Sequence, residues 1–249
     1  MSAVPSHETH AGLMDRIYRP QRHFYDFTRK YYLLGRDRLI ADLSLAPGAS
    51  LIEVGCGTGR NLIAIARKYP TARLYGLDAS AAMLTTARTK LHQAGLDHRV
   101  VLRQGLAEEL SPAAFGLGKF EHVLFSYSLS MVPGWRAALA AGSGALTEDG
   151  NLHVVDFADL RGLGFPAEPA IKAWLRLFHV TPRVEFLEVL ERAGEQRGIL
   201  RLLPGRYAFI FSASPKVIWE SLALLPVARG QQMLPKTLKN EPQSELNHQ

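Results

Sequence analysis

Leu51-Ile52-Glu53-Val54-Gly55-Cys56-Gly57-Thr58-Gly59 is an apolar run that ends in three glycines alternating with small residues. Ser50–Val54 reads as a short strand, and glycines directly after a strand let the chain turn tightly and let its backbone approach a ligand closely. Outward from there, helical apolar spacing over residues 61–69 predicts a helix, and residues 73–77 read as a second strand that ends at Asp78. Ser80 is placed to N-cap a helix that stops at Gly95. Residues 100–103 and 121–125 read as strands three and four, residues 135–146 as a helix, Asp149-Gly150 as a turn and residues 152–155 as strand five. Thr181-Pro182 offers an N-cap hydroxyl followed by a proline at the first helical position. Residues 199–203 and 207–211 flank Pro204-Gly205 as a closing hairpin. This alternation implies an α/β fold, a mostly parallel sheet with helices on both faces, whose ligands bind beyond the carboxyl ends of the strands.

The chain has 249 residues, 47% hydrophobic and 21% charged, which is ordinary for a folded domain with a sizeable core. Its one cysteine, Cys56, excludes an internal disulfide and a multi-cysteine metal site, and no metal is expected. The first ten residues lack the basic and apolar regions of a secretory signal. The longest uncharged run, residues 123–135, is shorter than the ~20 apolar residues of a membrane span. The net charge of +6 points to an acidic partner: nucleic acid, an anionic membrane surface or an acidic metabolite. Composition divides the chain into a basic, aromatic segment over 1–46, the strand–helix region over 47–212, and an apolar, basic extension with a polar tail over 213–249.

Asp78 lies nineteen residues beyond Gly59, where a carboxylate can take both hydroxyls of a ribose. Arg60 stands where a dinucleotide-binding loop would need its last glycine. The pattern, with Glu53 two residues before Gly55, resembles the first motif of the class I S-adenosylmethionine-dependent methyltransferases, and Leu77-Asp78-Ala79-Ser80 with Met83-Leu84 resembles the next. The resemblance covers roughly residues 51–211. It implies a Rossmann-like, mostly parallel seven-stranded sheet with a C-terminal hairpin and an N-terminal helical lid, and S-adenosylmethionine as cofactor. Gly55, Cys56, Gly57, Thr58 and Gly59 would pass under the methionine end, Glu53 would help hold the ammonium, and Asp78 would take the ribose. Met83 would lie against adenine, with Ala79, Ala107 and Ser126 beside the cofactor. Where the family often carries Gly-Asp-Ala after strand three, this chain has Gly105-Leu106-Ala107-Glu108, so adenine would be held by backbone or by Glu108. A thiol among glycines is read as a small filler or, less simply, a nucleophile.

Two further stretches bear on the acceptor. Ser126-Tyr127-Ser128-Leu129-Ser130-Met131-Val132-Pro133 follows strand four and would face the transferring methyl or pack the sheet end. It contains no Asn/Asp-Pro-Pro-Tyr sequence, against a nucleobase or glutamine N-methyltransferase. In the N-terminal segment Tyr18, Tyr25 and Tyr32 recur every seven residues, and Arg22, Arg29 and Arg36 follow each by four, as two adjacent helical stripes would; with Pro20 starting the helix, the Tyr25/Tyr32 and Arg29/Arg36 pairs lie on it. Buried tyrosines with snorkelling arginines would give the same pattern. Residues 18–38 (YRPQRHFYDFTRKYYLLGRDR), 125–135 (FSYSLSMVPGW) and 174–183 (WLRLFHVTPR) resemble bacterial betaine-lipid methyltransferases, which convert diacylglyceryl-homoserine to its N,N,N-trimethyl form. Tyr25-Asp26 with Leu34-Gly35-Arg36 is similar, more loosely, to quinone C-methyltransferases.

The betaine-lipid resemblance implies an amine acceptor. Aromatic faces suit a quaternary ammonium, and Tyr25, Tyr32 and Tyr127 are candidates; a homoserine carboxylate calls for Arg22, Arg29, Arg36 or Arg183. Deprotonation would use Tyr127, Asp26, His179 or water. His179 would equally cap a neighbouring loop. Lys216, Trp219, Leu222, Leu224, Leu225 and Arg229 are suited to a membrane interface or to packing back on the sheet. The expectation is a cytoplasmic protein at the inner membrane surface, working on a lipid, with the aminocarboxypropyl transferase of the preceding step as the partner that the resemblance implies. Nucleic acid is not expected as a partner, since there is no RNA-binding module and no long Lys/Arg run. The alternatives are a quinone C-methyltransferase and a non-catalytic S-adenosylmethionine-binding protein.

Overall fold

The structure is a computed structural model that describes residues 33–194 and 198–226. Ser50–Val54 (β1) is buried along its whole length, because its position in the middle of the sheet covers both faces with helices. It pairs in parallel with Arg73–Asp78 (β2) and with Phe120–Ser126 (β4), while Val100–Gln104 (β3) pairs in parallel with β2. Leu146–Phe157 (β5) runs parallel to β4. Ile199–Leu202 (β6) and Ala208–Ala213 (β7) form an antiparallel hairpin, and β7 pairs antiparallel with β5. The order is β3-β2-β1-β4-β5-β7-β6, so the seven-stranded, mostly parallel sheet and its C-terminal hairpin are as expected. The order reverses direction between β1 and β4, which opens a crevice at the carboxyl ends of those strands.

Each sheet face has its own core. Ile52, Val54, Phe120, Phe125, Phe186 and Phe209 belong to one, and Leu51, Leu62, Leu74, Leu84, Leu124 and Val155 to the other. Alternate residues of β1 supply both, as the two-residue period of a strand requires. Arg36–Asp42 (α1), Arg60–Lys68 (α2) and Ala81–Gln93 (α3) cover the second face. Helix α2 buries Asn61, Leu62, Ile65 and Ala66, spaced as one helical stripe. Ser80 caps α3 as expected, its Oγ accepting from the Met83 N–H at 3.3 Å. Trp135–Gly144 (α4), Val184–Ala193 (α6) and Pro215–Ala223 (α7) cover the first face. Ala167–Leu177 (α5) lies between β5 and α6 in the chain.

The structure corrects two sequence expectations. Asp149-Gly150 is no turn: it lies inside β5, where the pairing jumps from Phe120↔Leu146 to His122↔Asn151. The extra residues bulge out, leaving Glu148 and Asp149 exposed without breaking the strand. The helix after Thr181-Pro182 starts at Val184 with Arg183 at the N-cap position and no side-chain cap, so Thr181 stands ahead of the helix, its N–H donating to the Ser130 carbonyl at 2.9 Å. Of the two readings left open for the C-terminal extension, a membrane interface or packing back on the sheet, its described residues take the second. Ile218, Leu222 and Leu225 are core residues, and α7 is tied down by Ser143 Oγ donating to the Pro215 carbonyl at 3.1 Å. Among the described residues of the extension, Trp219 and Leu224 are the large apolar side chains left exposed. At the other end, Leu39, Ile40, Leu43 and Leu45 are also core, so residues 33–46 and 213–226 pack as part of the same body as the sheet.

Candidate functional site

Beyond the carboxyl ends of β1, β2, β3 and β4 lies an open cleft of about 690 Å³. Its floor is the glycine turn. Gly55 and Gly57 have φ of 76° and 54°, in the left-handed region where a side chain is strained. A Cβ on Gly55 would stand 2.5 Å from Ser128 Cβ, whereas one on Gly57 would meet no atom within 4 Å and would enter open space. The turn is pinned by the Gly55 and Cys56 N–H groups, both donating to the Leu77 carbonyl, at 2.7 and 3.1 Å. Asp78 Oδ2 accepts from the Gly57 N–H at 2.7 Å and Oδ1 from the Ser80 N–H at 2.9 Å, which fixes the carboxylate at the cleft edge. Ala79 and Met83 continue this wall, and Gly105, Leu106, Ala107 and Glu108 form the next. Ser126, Tyr127, Ser128, Met131 and Val132 close the opposite side.

Glu53 lies beneath the turn and is 2% exposed. Its Oε1 accepts from Asn61 Nδ2 at 2.6 Å. Oε2 has no hydrogen-bond partner, nor do Asn61 Oδ1, Ser126 Oγ and Ser128 Oγ. Burial pushes the Glu53 carboxyl up to about 8, against the lowering effects of the Asn61 hydrogen bond and the nearby Arg36 charge. A buried carboxylate with one oxygen unsatisfied is a site for a cation with hydrogens to donate. An aminoacyl-nucleoside fits these residues: ammonium at Glu53, ribose diol at Asp78, and a flat base between Met83 and the 105–108 segment. Glu108 lines the cleft where the family's acid is missing from the sequence pattern.

Several predicted residues are placed differently. Glu53 is buried behind the cleft lining and not part of it, and Cys56, Thr58 and Gly59 do not line the cleft either. Burial raises the Cys56 thiol well above its ordinary range, so it fills space and is no nucleophile. Thr58 is buried, and Gly59 precedes α2 as its N-cap. Tyr127 does line the cleft, but its hydroxyl donates to the Leu34 carbonyl at 2.5 Å, and burial raises it well above the usual phenol range. In this arrangement the Tyr127 proton is committed to the Leu34 carbonyl. Arg36 is buried, its Nε donating to the Leu33 carbonyl at 3.4 Å, and its charge acts on both Glu53 and Tyr127.

Arg183, expected to take an acceptor carboxylate, instead clamps the segment after β4. Its Nε donates to the Leu129 carbonyl at 2.9 Å and Nη2 to the Val132 carbonyl at 2.8 Å. His179 is exposed after the end of α5 with φ of 55° and does not line the cleft, so it is not placed for catalysis. Asp26, Tyr25, Tyr32, Arg22 and Arg29 lie outside the described residues.

Sequence reasoning misses Asn61 and Asp156. Asn61 is a polar residue on the buried stripe of α2, and that break in the apolar pattern is the signal for it. Asp156 is a carboxylate inside a strand run, 1% exposed, with Oδ2 accepting from the Ser130 N–H at 3.0 Å. It and Arg183 hold the cleft wall from behind.

Residues 51–150 match the family described as "Methyltransferase domain". The chain is 30% identical over 179 residues to the ubiquinone/menaquinone biosynthesis C-methyltransferase UbiE of Syntrophotalea carbinolica, covering 69% of each protein. It is 26% identical over 191 residues to the trans-aconitate 2-methyltransferase of Variovorax paradoxus, covering 76% of this chain and 67% of that one. Among solved structures it is similar in fold to the S-adenosylmethionine-dependent methyltransferase SibL, with a TM-score of 0.59 and 22% identity over 77% of this chain. The chain spans 57% of the length of that structure, less than two thirds.

Proposed function

Because this chain belongs to the class I S-adenosylmethionine-dependent methyltransferases, we propose that it N-methylates the amino group of diacylglyceryl-homoserine to the trimethylated betaine lipid. S-adenosylmethionine, when bound, would supply an electrophilic methyl that the lone pair of a neutral amine attacks, the N–C bond forming as the C–S bond breaks and S-adenosylhomocysteine leaves with the C–S electron pair. The chain's own residues bind and orient. Glu53 would hold the ammonium and Asp78 the ribose of the cofactor, and the glycine turn would bring the backbone under it.

The observation that carries the amine reading is the wall opposite the cofactor residues. Ser126, Tyr127, Ser128, Met131 and Val132 bring hydroxyls, an aromatic ring and a thioether, and among the described residues lining the cleft there is no histidine or lysine. The cleft's carboxylates, Asp78 and Glu108, are on the cofactor side. An amine that has lost its proton to water needs no base at the reacting atom, whereas a ring carbon must give up a proton in the same site. The Tyr127 ring face is suited to the cation that remains after the last transfer. The resemblance of residues 18–38, 125–135 and 174–183 to betaine-lipid methyltransferases supports the same acceptor. A second reading, C-methylation of a quinone precursor, is favoured by the identity with the Syntrophotalea carbinolica protein.

Incubation of the full chain with methyl-labelled S-adenosylmethionine and either diacylglyceryl-homoserine or a demethylated quinone, followed by mass spectrometry, separates them. The expected product is the trimethylated lipid. Label on the quinone alone establishes the second reading, and label on neither overturns both.

A further inference from the structure

Among the described residues, the buried side-chain atoms without a hydrogen-bond partner are Glu53 Oε2, Arg60 Nη1, Asn61 Oδ1 and the hydroxyls of Ser126, Ser128 and Ser130. Of these residues, Ser126 and Ser128 line the cleft. A native fold rarely leaves a buried hydroxyl unpaired, so an orphan at a cleft wall marks where a ligand atom completes it. Ser126 is the last residue of β4 and is placed beside the cofactor by the family resemblance. Ser128 is 7% exposed and touches the glycine turn: a Cβ on Gly55 would lie 3.3 Å from Ser128 Oγ. Its hydroxyl therefore stands at the seam between the turn that would run under the methionine end and the wall that faces the acceptor.

The main chain around Ser128 is already spent on the protein. The Tyr127 N–H donates to the Val155 carbonyl at 2.7 Å, and the Ser128 carbonyl accepts from the Met131 and Val132 N–H groups, both at 3.0 Å. The Ser130 N–H goes to Asp156 Oδ2 at 3.0 Å, and Arg183 holds the Leu129 and Val132 carbonyls at 2.9 and 2.8 Å. Behind the wall, a buried carboxylate and a guanidinium thus fix the backbone, and in front of it one hydroxyl oxygen is left with nothing to accept. That is a preorganised acceptor atom beside the reacting centre.

A neutral amine in this cleft carries one lone pair, and how many N–H groups it has depends on the transfer. The amine of the first transfer has two, that of the second has one, and that of the third has none. An oxygen that accepts one N–H fixes the direction of the lone pair, as an in-line displacement requires. A tertiary amine can only accept from the hydroxyl, which occupies its lone pair and does not aim it.

We propose that Ser128 Oγ accepts an N–H of the acceptor amine and aims its lone pair at the cofactor's methyl, serving the first two methyl transfers and not the third. The inference rests on the amine-acceptor reading. In each transfer the nitrogen lone pair forms the N–C bond while the C–S pair goes to sulfur. After the first and second, the new ammonium loses its proton to water, and Ser128 itself takes none.

The test is Ser128→Ala in the full chain, with diacylglyceryl-homoserine and its N,N-dimethyl form supplied as separate acceptors. Single-turnover rates are read by mass spectrometry of the products. The variant is expected to slow methylation of the unmethylated lipid about tenfold and that of the dimethyl form less than about twofold. Ser128→Cys, which keeps the shape but offers a weak acceptor atom, is expected to follow it. Cofactor affinity by calorimetry and the melting temperature are expected to match the unaltered chain. Equal slowing on both lipids, or none, overturns the inference and leaves the acceptor reading standing. So does a loss of cofactor affinity that accounts for the slowing, which would assign the hydroxyl to the cofactor. Methylation of neither lipid by the unaltered chain overturns the acceptor reading and this inference with it.

Discussion

The Tyr127 hydroxyl donates to the Leu34 carbonyl at 2.5 Å, joining the end of β4 to a segment ninety-three residues earlier in the chain. The bond makes one wall of the cleft depend on how residues 33–36 cross the sheet end. Tyr127 also has φ of 54°, and its own N–H donates to the Val155 carbonyl at 2.7 Å, so both its backbone and its side chain are held.

Tyr127→Phe therefore tests structure against chemistry. Losing the bond leaves the Leu34 carbonyl without this donor and is expected to cost about 1 kcal/mol of stability, measured by denaturant unfolding. Turnover should fall while the pH dependence of kcat keeps its shape. A basic limb that vanishes in the variant would restore Tyr127 as a proton acceptor.

The two cleft glycines should separate in a way that a generic loop would not show. Gly55→Ala puts a methyl 2.5 Å from Ser128 Cβ at a left-handed φ and is expected to lower both the melting temperature and cofactor affinity. Gly57→Ala meets nothing in the protein, so its stability should fall by only about 1 kcal/mol from backbone strain. Its added methyl points into open space at the cleft floor, and cofactor affinity should drop at least about tenfold. Calorimetry of binding and thermal unfolding on both variants decides the point.

Glu53 should make cofactor binding pH-dependent. With its carboxyl pushed up to about 8 by burial, it is mostly protonated at pH 7 in the free protein. A bound ammonium favours the carboxylate, so binding releases a proton and affinity rises as pH goes from 6 towards 8. Titration calorimetry in buffers of different ionisation enthalpy reads this release directly. Glu53→Gln should abolish it and bind more weakly. For the free protein the sign is opposite: a folded-state value above the ordinary 4.5 means stability falls as pH rises from about 4.5 to 8, and the Gln variant should lose that slope.

An acid-side counterpart comes from the buried histidines. His122 and His153 stack with 3.1 Å between Nδ1 and Nε2, and His153 Nδ1 is 2.8 Å from Ser212 Oγ. Burial, and then the neighbouring His122 charge, lower His153 to about 3. Its folded value lies below its unfolded one, so this contribution is whole above pH 6.5 and is lost as pH falls from there towards 3. The loss approaches about 1.4 kcal/mol per pH unit, and His153→Leu should flatten it in unfolding curves taken between pH 7 and 4. An unchanged slope would place the acid sensitivity elsewhere.

By itself the sequence determined the fold class and the glycine turn and carboxylate that form one side of the cleft. Those signals are local: Gly55 to Asp78 is one strand–helix–strand unit, and its turn, cap and carboxylate are set by neighbours in the chain. Only the tertiary structure decided what the other polar groups are used for. Arg183 looks like a free guanidinium until the three carbonyls of a loop some fifty residues away come within its reach, and His179 looks catalytic until the chain leaves it exposed outside the cleft. Ile218 and Leu222 look like a membrane face until α4 and β5 cover them. A side chain's residue type fixes which bonds it can make, but long-range packing fixes which of them are already taken, and that is not written in any one stretch of sequence.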